Sequence, residues 1–191
     1  ECDTLLSHLQ NYPAEYDGQL RAIRDSCIAL VMLDAGLRVS EVISIRRGDV
    51  GWGDIVNRNI RVPAHIAKRG SARTIPVTLR LQGLIELMQL NIWIPFEWKP
   101  EQTAFFNLKT GRPLTKQGVG RIIRNAGRVS LHRNIHPHTL RHTFATNLMR
   151  TTNARVVQQL LGHKNLSSTQ IYCHPNQQDL KKAIDTLPAG K

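Results

Sequence analysis

Apolar and polar residues alternate with two different periods along this chain, and the switch between them divides it into segments. Residues 19–35 carry apolar side chains at helical spacing, and IALVML at 28–33 reads as a buried helix segment. Gly36 then serves as a stop. A shorter helix is predicted over 3–11, with a turn near Pro13 and Asp17-Gly18. Another is predicted over 39–45, after which Gly48, Gly51 and Gly53 break the pattern. Residues 54–77 change character: NIRVPAHI and ARTIPVT are β-rich, and KRGS between them suits the tip of a hairpin. Helical spacing returns over 79–94, and Thr103–Phe106 form a short extended piece.

The second half is helical again. Thr115 can cap a helix over 116–127, on which Arg121, Arg124 and Arg128 share one face while Ile122 and Ile123 point elsewhere. From Pro137 the pattern predicts four more helices. The first covers 138–150. The second is capped by Asn153, carries the stripe Val156, Val157, Leu160 and Leu161, and ends at Gly162. A short one near 166–172 bears Tyr172, and 176–186 is a weaker amphipathic tail. The predicted fold class is mainly α with a small antiparallel β-sheet (α+β).

Composition narrows the function. The chain has 191 residues, of which 41% are hydrophobic, enough for one domain or one domain with an appendage. No apolar run is long enough to span a bilayer, and the N-terminus lacks the layout of a signal peptide, so a cytoplasmic protein is expected. Lys and Arg total 26 against 14 Asp and Glu, a formal net charge of +12. Such a field attracts polyanions, and the dispersal of the basic residues favours a folded nucleic-acid-binding surface over a basic arm.

Cys2, Cys27 and Cys173 are far apart, with no C-x-x-C pair, which argues against disulfides and a zinc framework. His136, His138 and His142 are close in sequence, yet the glutamate of a zincin motif is missing. No metal and no cofactor are expected.

Four segments carry the chemistry. DAGLRVSEV at 34–42 places Arg38 just past Gly36; AHIAKRGSARTIPV at 64–77 puts Lys68 in the hairpin. In HPHTLRHTFATNLMR at 136–150, His138 and Arg141 are one helical turn apart. LLGHKNLSSTQIY at 160–172 supplies His163 and Tyr172. Read in order, Arg, Lys, His-x-x-Arg, Leu-Gly-His and Tyr resemble the tyrosine recombinase (phage integrase) family, over roughly residues 20–180. Register counted back from Pro76 selects Lys68, although Ala67-Lys68-Arg69 stands where the family commonly has Gly-Lys-Gly.

The resemblance implies a metal-free DNA strand transferase. Arg38 and Arg141 would neutralise the charge that builds on the phosphate oxygens, with His163 as a further donor. Tyr172 would be the nucleophile, Lys68 the general acid at the departing 5′ oxygen, and His138 an assistant in proton handling. Glu41 matches the family's acidic position and would orient the basic residues. Arg69, Arg73, Lys116, Arg121, Arg124 and Arg128 are the expected DNA contacts.

It also implies a catalytic domain at 17–175, a linker or N-terminal extension at 1–16, and a tail at 176–191 suited to exchange between protomers. The family's upstream core-binding domain has no counterpart in this chain. Duplex DNA is the expected partner, with a homotetramer on synapsed sites and a monomer for the isolated fragment. Two rivals remain: a type IB topoisomerase-like relaxing enzyme and a non-catalytic DNA-binding protein of the same fold.

Overall fold

The computed structural model describes residues 1–11, 16–52, 55–56 and 58–163. Tyr172, Cys173, the helix predicted near 166–172 and the tail at 176–186 lie outside the described residues.

The fold is built around α2 (Tyr16–Leu33), which packs against α1 (Cys2–Gln10), α5 (Leu79–Met88) and α7 (Pro137–Met149). Its second half justifies the sequence reading, since every residue from Cys27 to Met32 is buried. Burial also raises the pKa of the Cys27 thiol, which makes it a packing group and not a nucleophile. Residues 1–16, expected as a linker or extension with a helix over 3–11, contain α1. Its Leu5, Leu6 and Leu9 recur at i, i+1 and i+4 and are buried in the same core as α2.

After α2 come two single-turn helices, α3 (Val39–Val42) and α4 (Arg47–Val50). Two antiparallel ribbons follow, β1 (Gly51–Trp52) with β2 (Ile55–Val56) and β3 (Asn59–Val62) with β4 (Arg73–Pro76). In the longer ribbon Ile60 faces Ile75 and Val62 faces Arg73, and these four inward positions are buried. The connection across its tip contains a 3-10 turn at Lys68–Gly70.

The segment predicted as one helix over 79–94 is α5 followed by a π turn at Gln89–Trp93. That turn accompanies the burial of Trp93, whose indole N–H donates to Ala104 O at 2.9 Å. Beyond it, α6 (Lys116–Leu131) begins at Thr115, whose hydroxyl accepts the Gly118 N–H at 3.0 Å. The helix runs past its predicted end at residue 127, and Gly127 is an interior contact within it: a side chain there would overlap Ile135. Finally α8 (Ala154–Leu161) starts with the Asn153 side chain accepting the Val156 N–H at 3.1 Å.

Two apolar clusters result. The large one spans α1 to α7; the small one consists of Phe144, Ala145, Val157 and Leu161 and holds α8 against α7.

Candidate active site

The end of α2 creates the first half of the site. Gly36 adopts φ 61°, which reverses the chain, and Leu37 N–H donates back to Val31 O at 3.0 Å. The reversal delivers Arg38 to the start of α3, one turn before Glu41. Glu41 is completely buried, and its two carboxylate oxygens organise the neighbourhood. One oxygen accepts from Arg38 Nη1 at 3.0 Å and from Arg73 Nη1 at 2.9 Å. The other accepts the Arg38 backbone N–H at 2.7 Å and Arg73 Nη2 at 2.8 Å, with Arg141 Nη1 at 3.9 Å. Burial alone would raise the pKa of this carboxyl; the hydrogen bonds and charges of Arg73 and then Arg38 outweigh it and hold the group below the usual range.

Helix α7 supplies the second half. Arg141 is buried, with 2% of its surface exposed, and is held by backbone carbonyls. Its Nη1 donates to Gly36 O, and its Nη2 donates to Leu161 O at 2.8 Å. These two bonds tie the end of α2 to the end of α8. Gly162, at φ 64°, closes α8 and turns the chain so that His163 Nε2 lies 3.3 Å from Arg141 Nη2. A guanidinium has only donors, so Nε2 accepts here and the ring proton sits on Nδ1. Burial first, then the charges of Arg141, Arg38 and Arg73, lower the His163 pKa to about 4. A hollow of about 370 Å³ opens beside it, between β4 and α8, bordered by Ser71, Thr74, Arg155 and Gln158.

The described contacts therefore join four of the expected residues: Arg38, Glu41, Arg141 and His163. Lys68 and His138 are exposed, the first in the 3-10 turn and the second in the first turn of α7. Among the described residues, no hydrogen bond or ion pair ties either of them to the cluster. Of the expected DNA contacts, Lys116, Arg121, Arg124 and Arg128 are exposed along α6, and Arg69 lies in the turn with Lys68. Tyr172 is outside the described residues.

Arg73 is a correction. Expected on the DNA surface, it is buried beneath it, and its donors are taken by Glu41 and by Leu160 O at 2.8 Å from Nε. The signal was present in the strand alternation, which puts Arg73 on the inward face with Ile75. The carbonyls of Gly36 and Leu161 were not foreseeable, since no side-chain pattern announces a backbone acceptor.

What the arrangement offers is one carboxylate shared among three guanidiniums beside a neutral imidazole. That excess of cationic donors in a part-buried pocket is suited to a tetrahedral oxyanion such as phosphate. Comparison with known proteins agrees. Residues 1–179 match the family model described as the phage integrase family. The tyrosine recombinase XerC of Actinobacillus pleuropneumoniae is 34% identical over 188 residues, covering 92% of this chain and 58% of that protein. The chain thus spans little more than half the length of this curated relative.

Among solved structures, the XerH site-specific recombinase bound to difH substrate in a pre-cleavage complex superposes with a TM-score of 0.73 at 21% identity. That match covers 97% of this chain and 52% of the other. The catalytic domain of bacteriophage HP1 integrase gives 0.62 at 21% identity, covering 97% and 90%. These likenesses show the mainly helical fold with its small antiparallel ribbons to be that of a recombinase catalytic domain.

Proposed function

The chain belongs to the phage integrase family, and on that premise we propose that it cleaves and rejoins duplex DNA through a 3′-phosphotyrosine. The observation that carries this reading is the buried Glu41 shared by Arg38 and Arg73, with Arg141 and His163 alongside. Arg38 keeps 20% of its side chain open to solvent while Glu41 holds its Nη1, which suits it to meet an incoming phosphate. Arg141 lies deeper, fixed by carbonyls that leave its orientation no freedom. Preorganised donors of this kind lower the barrier because they need not reorient as charge builds on the non-bridging oxygens.

In the reaction the Tyr172 hydroxyl oxygen bonds to phosphorus, the bond from phosphorus to the 5′ oxygen breaks, and Lys68 gives that oxygen a proton. An exposed amine in a hairpin turn is suited to this step, because it can approach the leaving group as DNA settles over the site. His138, exposed on the first turn of α7, would assist by taking the tyrosine proton or donating to a phosphate oxygen. The arriving phosphate also competes for Arg141 Nη2. Its negative charge raises the His163 pKa and turns Nε2 from acceptor to donor. Because the covalent intermediate keeps the phosphoester energy, resealing needs no ATP.

Substrate engagement belongs to the same proposal. The exposed arginines of α6 would lie along the duplex backbone, and four protomers would hold two DNA sites, with residues 176–191 passing between neighbours.

The test is covalent trapping in EDTA without ATP. A randomised duplex library carrying 5′-bridging sulfur is incubated with wild type and Tyr172→Phe, then run under denaturing conditions. An adduct from the wild type alone is the expected result. Adduct formation by Tyr172→Phe would remove Tyr172 as the nucleophile. DNA binding without any adduct would make the chain a binding protein. Relaxation of supercoils without partner exchange would make it a topoisomerase.

A further inference from the structure

We propose that Arg73 is a positioning residue that clamps the turn bearing His163 onto Glu41, so that the hairpin, α3 and α8 are held as one unit around the phosphate site. This rests on the reading of the chain as a recombinase.

Three observations converge. Arg73 makes a two-pronged contact with Glu41, 2.9 Å and 2.8 Å, which fixes the plane of its guanidinium. Its remaining edge donates from Nε to Leu160 O at 2.8 Å, three residues before His163. Gly162 then lies flat against the same side chain: a Cβ there would stand 3.2 Å from Arg73 Cδ and Nη1. The turn can approach this closely only because Gly162 has no side chain and tolerates φ 64°.

The clamp matters because, among the described residues, α8 is otherwise lightly held. Among the described residues, the small cluster that seats it takes Val157 and Leu161 from α8 as buried members, with Leu160 packed partly buried against them. Arg141 restrains the turn through Leu161 O, and Arg73 restrains it through the neighbouring carbonyl of Leu160. The two arginines grip consecutive carbonyls, and both stand beside Glu41. Arg73 is also the first residue of β4, at the foot of the tip that carries Lys68. A displacement of Arg73 would therefore be felt at His163 and at the root of that tip. Unlike Arg38, it has 4% side-chain exposure and its hydrogen bonds run inward, so it cannot serve DNA directly.

The experiment compares wild type with Arg73→Lys in the full chain of 191 residues. The probes are the 5′-bridging-sulfur duplex library for adduct formation and the same pool with ordinary phosphates for binding. Sulfur leaves without needing a proton, so the adduct rate reports activation of the phosphate and not the action of Lys68. Loss of a supporting partner should slow adduct formation by about 10- to 100-fold. Binding should stay within about twofold, because no phosphate contact is lost.

A second readout does not depend on catalysis. The His163 imidazole, followed by NMR in the free protein, should titrate near 4 in the wild type and move upward in Arg73→Lys as the turn loosens. Gly162→Ala presses on the clamp from the opposite side and should reproduce both changes if Arg73→Lys fails to fold. Wild-type adduct rates together with an unmoved His163 titration would overturn the proposal. So would equal losses of binding and adduct formation, which would return Arg73 to the DNA surface. If the wild type itself forms no adduct, the recombinase reading fails, and the His163 titration still decides whether Arg73 holds the turn.

Discussion

The core around α2 and the seat of α8 hold their parts in different ways. Around α2 the restraint is apolar and collective: Cys27 through Met32 are all buried, and α1, α3, α5, α6 and α7 pack on the helix. Around α8, among the described residues, four buried apolar side chains meet, and position is set by two arginines bonded to the carbonyls of Leu160 and Leu161. Apolar burial is strong but non-directional, whereas hydrogen bonds to carbonyls fix orientation. The molecule places its scaffold by the first means and its chemical groups by the second.

The contrast can be broken at its joint. Glu41→Ala would leave Arg73 and its neighbours buried without their carboxylate, and should cost about 3–5 kcal/mol in urea unfolding. A loss below about 1 kcal/mol would show that the cluster contributes little to holding the chain together.

A matched pair of truncations sharpens it. Ile28→Ala removes a fully buried side chain of the large core and should cost roughly 2–5 kcal/mol, with adduct formation retained wherever the protein is folded. Leu161→Ala, in the small cluster, should fall near the lower end of that range, about 2 kcal/mol, because the site can partly collapse. Adduct formation should nonetheless fall further in Leu161→Ala than in Ile28→Ala. The opposite ranking would mean that apolar packing, and not the carbonyl grip, sets the position of His163.

Acid should separate the regions more gently. His163 has a folded pKa of about 4 against 6.5 for the free group, so the unfolded chain takes up its proton first. Stability from this source is complete above 6.5 and declines as the pH falls towards 4. Glu41, whose folded pKa is lowered, adds a second loss as the pH drops below its ordinary 4.5. Unfolding midpoints measured across this window should show the upper slope disappear in His163→Gln while the lower one persists. The smallest effects belong to the α6 face. Arg121→Ala and Arg124→Ala should change stability by less than about 0.5 kcal/mol. Each should reduce the slope of log affinity against log salt by about 1 if it meets a phosphate.

Legibility in the sequence followed the same division. Thr115 and Asn153 announced the starts of α6 and α8, because a cap is a local hydrogen bond between neighbours in sequence. Arg38, Glu41, Arg141 and His163 could be named from their motifs, and the described contacts bring them together. What escaped depended on partners distant along the chain. Gly127 looked like a helix end, yet it is the surface on which Ile135 rests. Arg73 looked like a surface charge in a basic hairpin, and only its pairing with Glu41, 32 positions away, makes its burial favourable. The π turn after α5 belongs with these, since it accompanies the bond from Trp93 to the carbonyl of Ala104.

Gly36 gathers three obligations at a single position. It reverses the chain after α2 at φ 61°, it lies where any side chain would overlap Phe144, and its carbonyl receives Arg141. No other amino acid satisfies the first two, and the third depends on both. Position 36 should therefore accept no replacement in a saturation library selected for recombination, although its residue takes no part in the chemistry. Its neighbour Leu37, equally buried but with a side chain held by packing alone, should still accept a conservative aliphatic replacement.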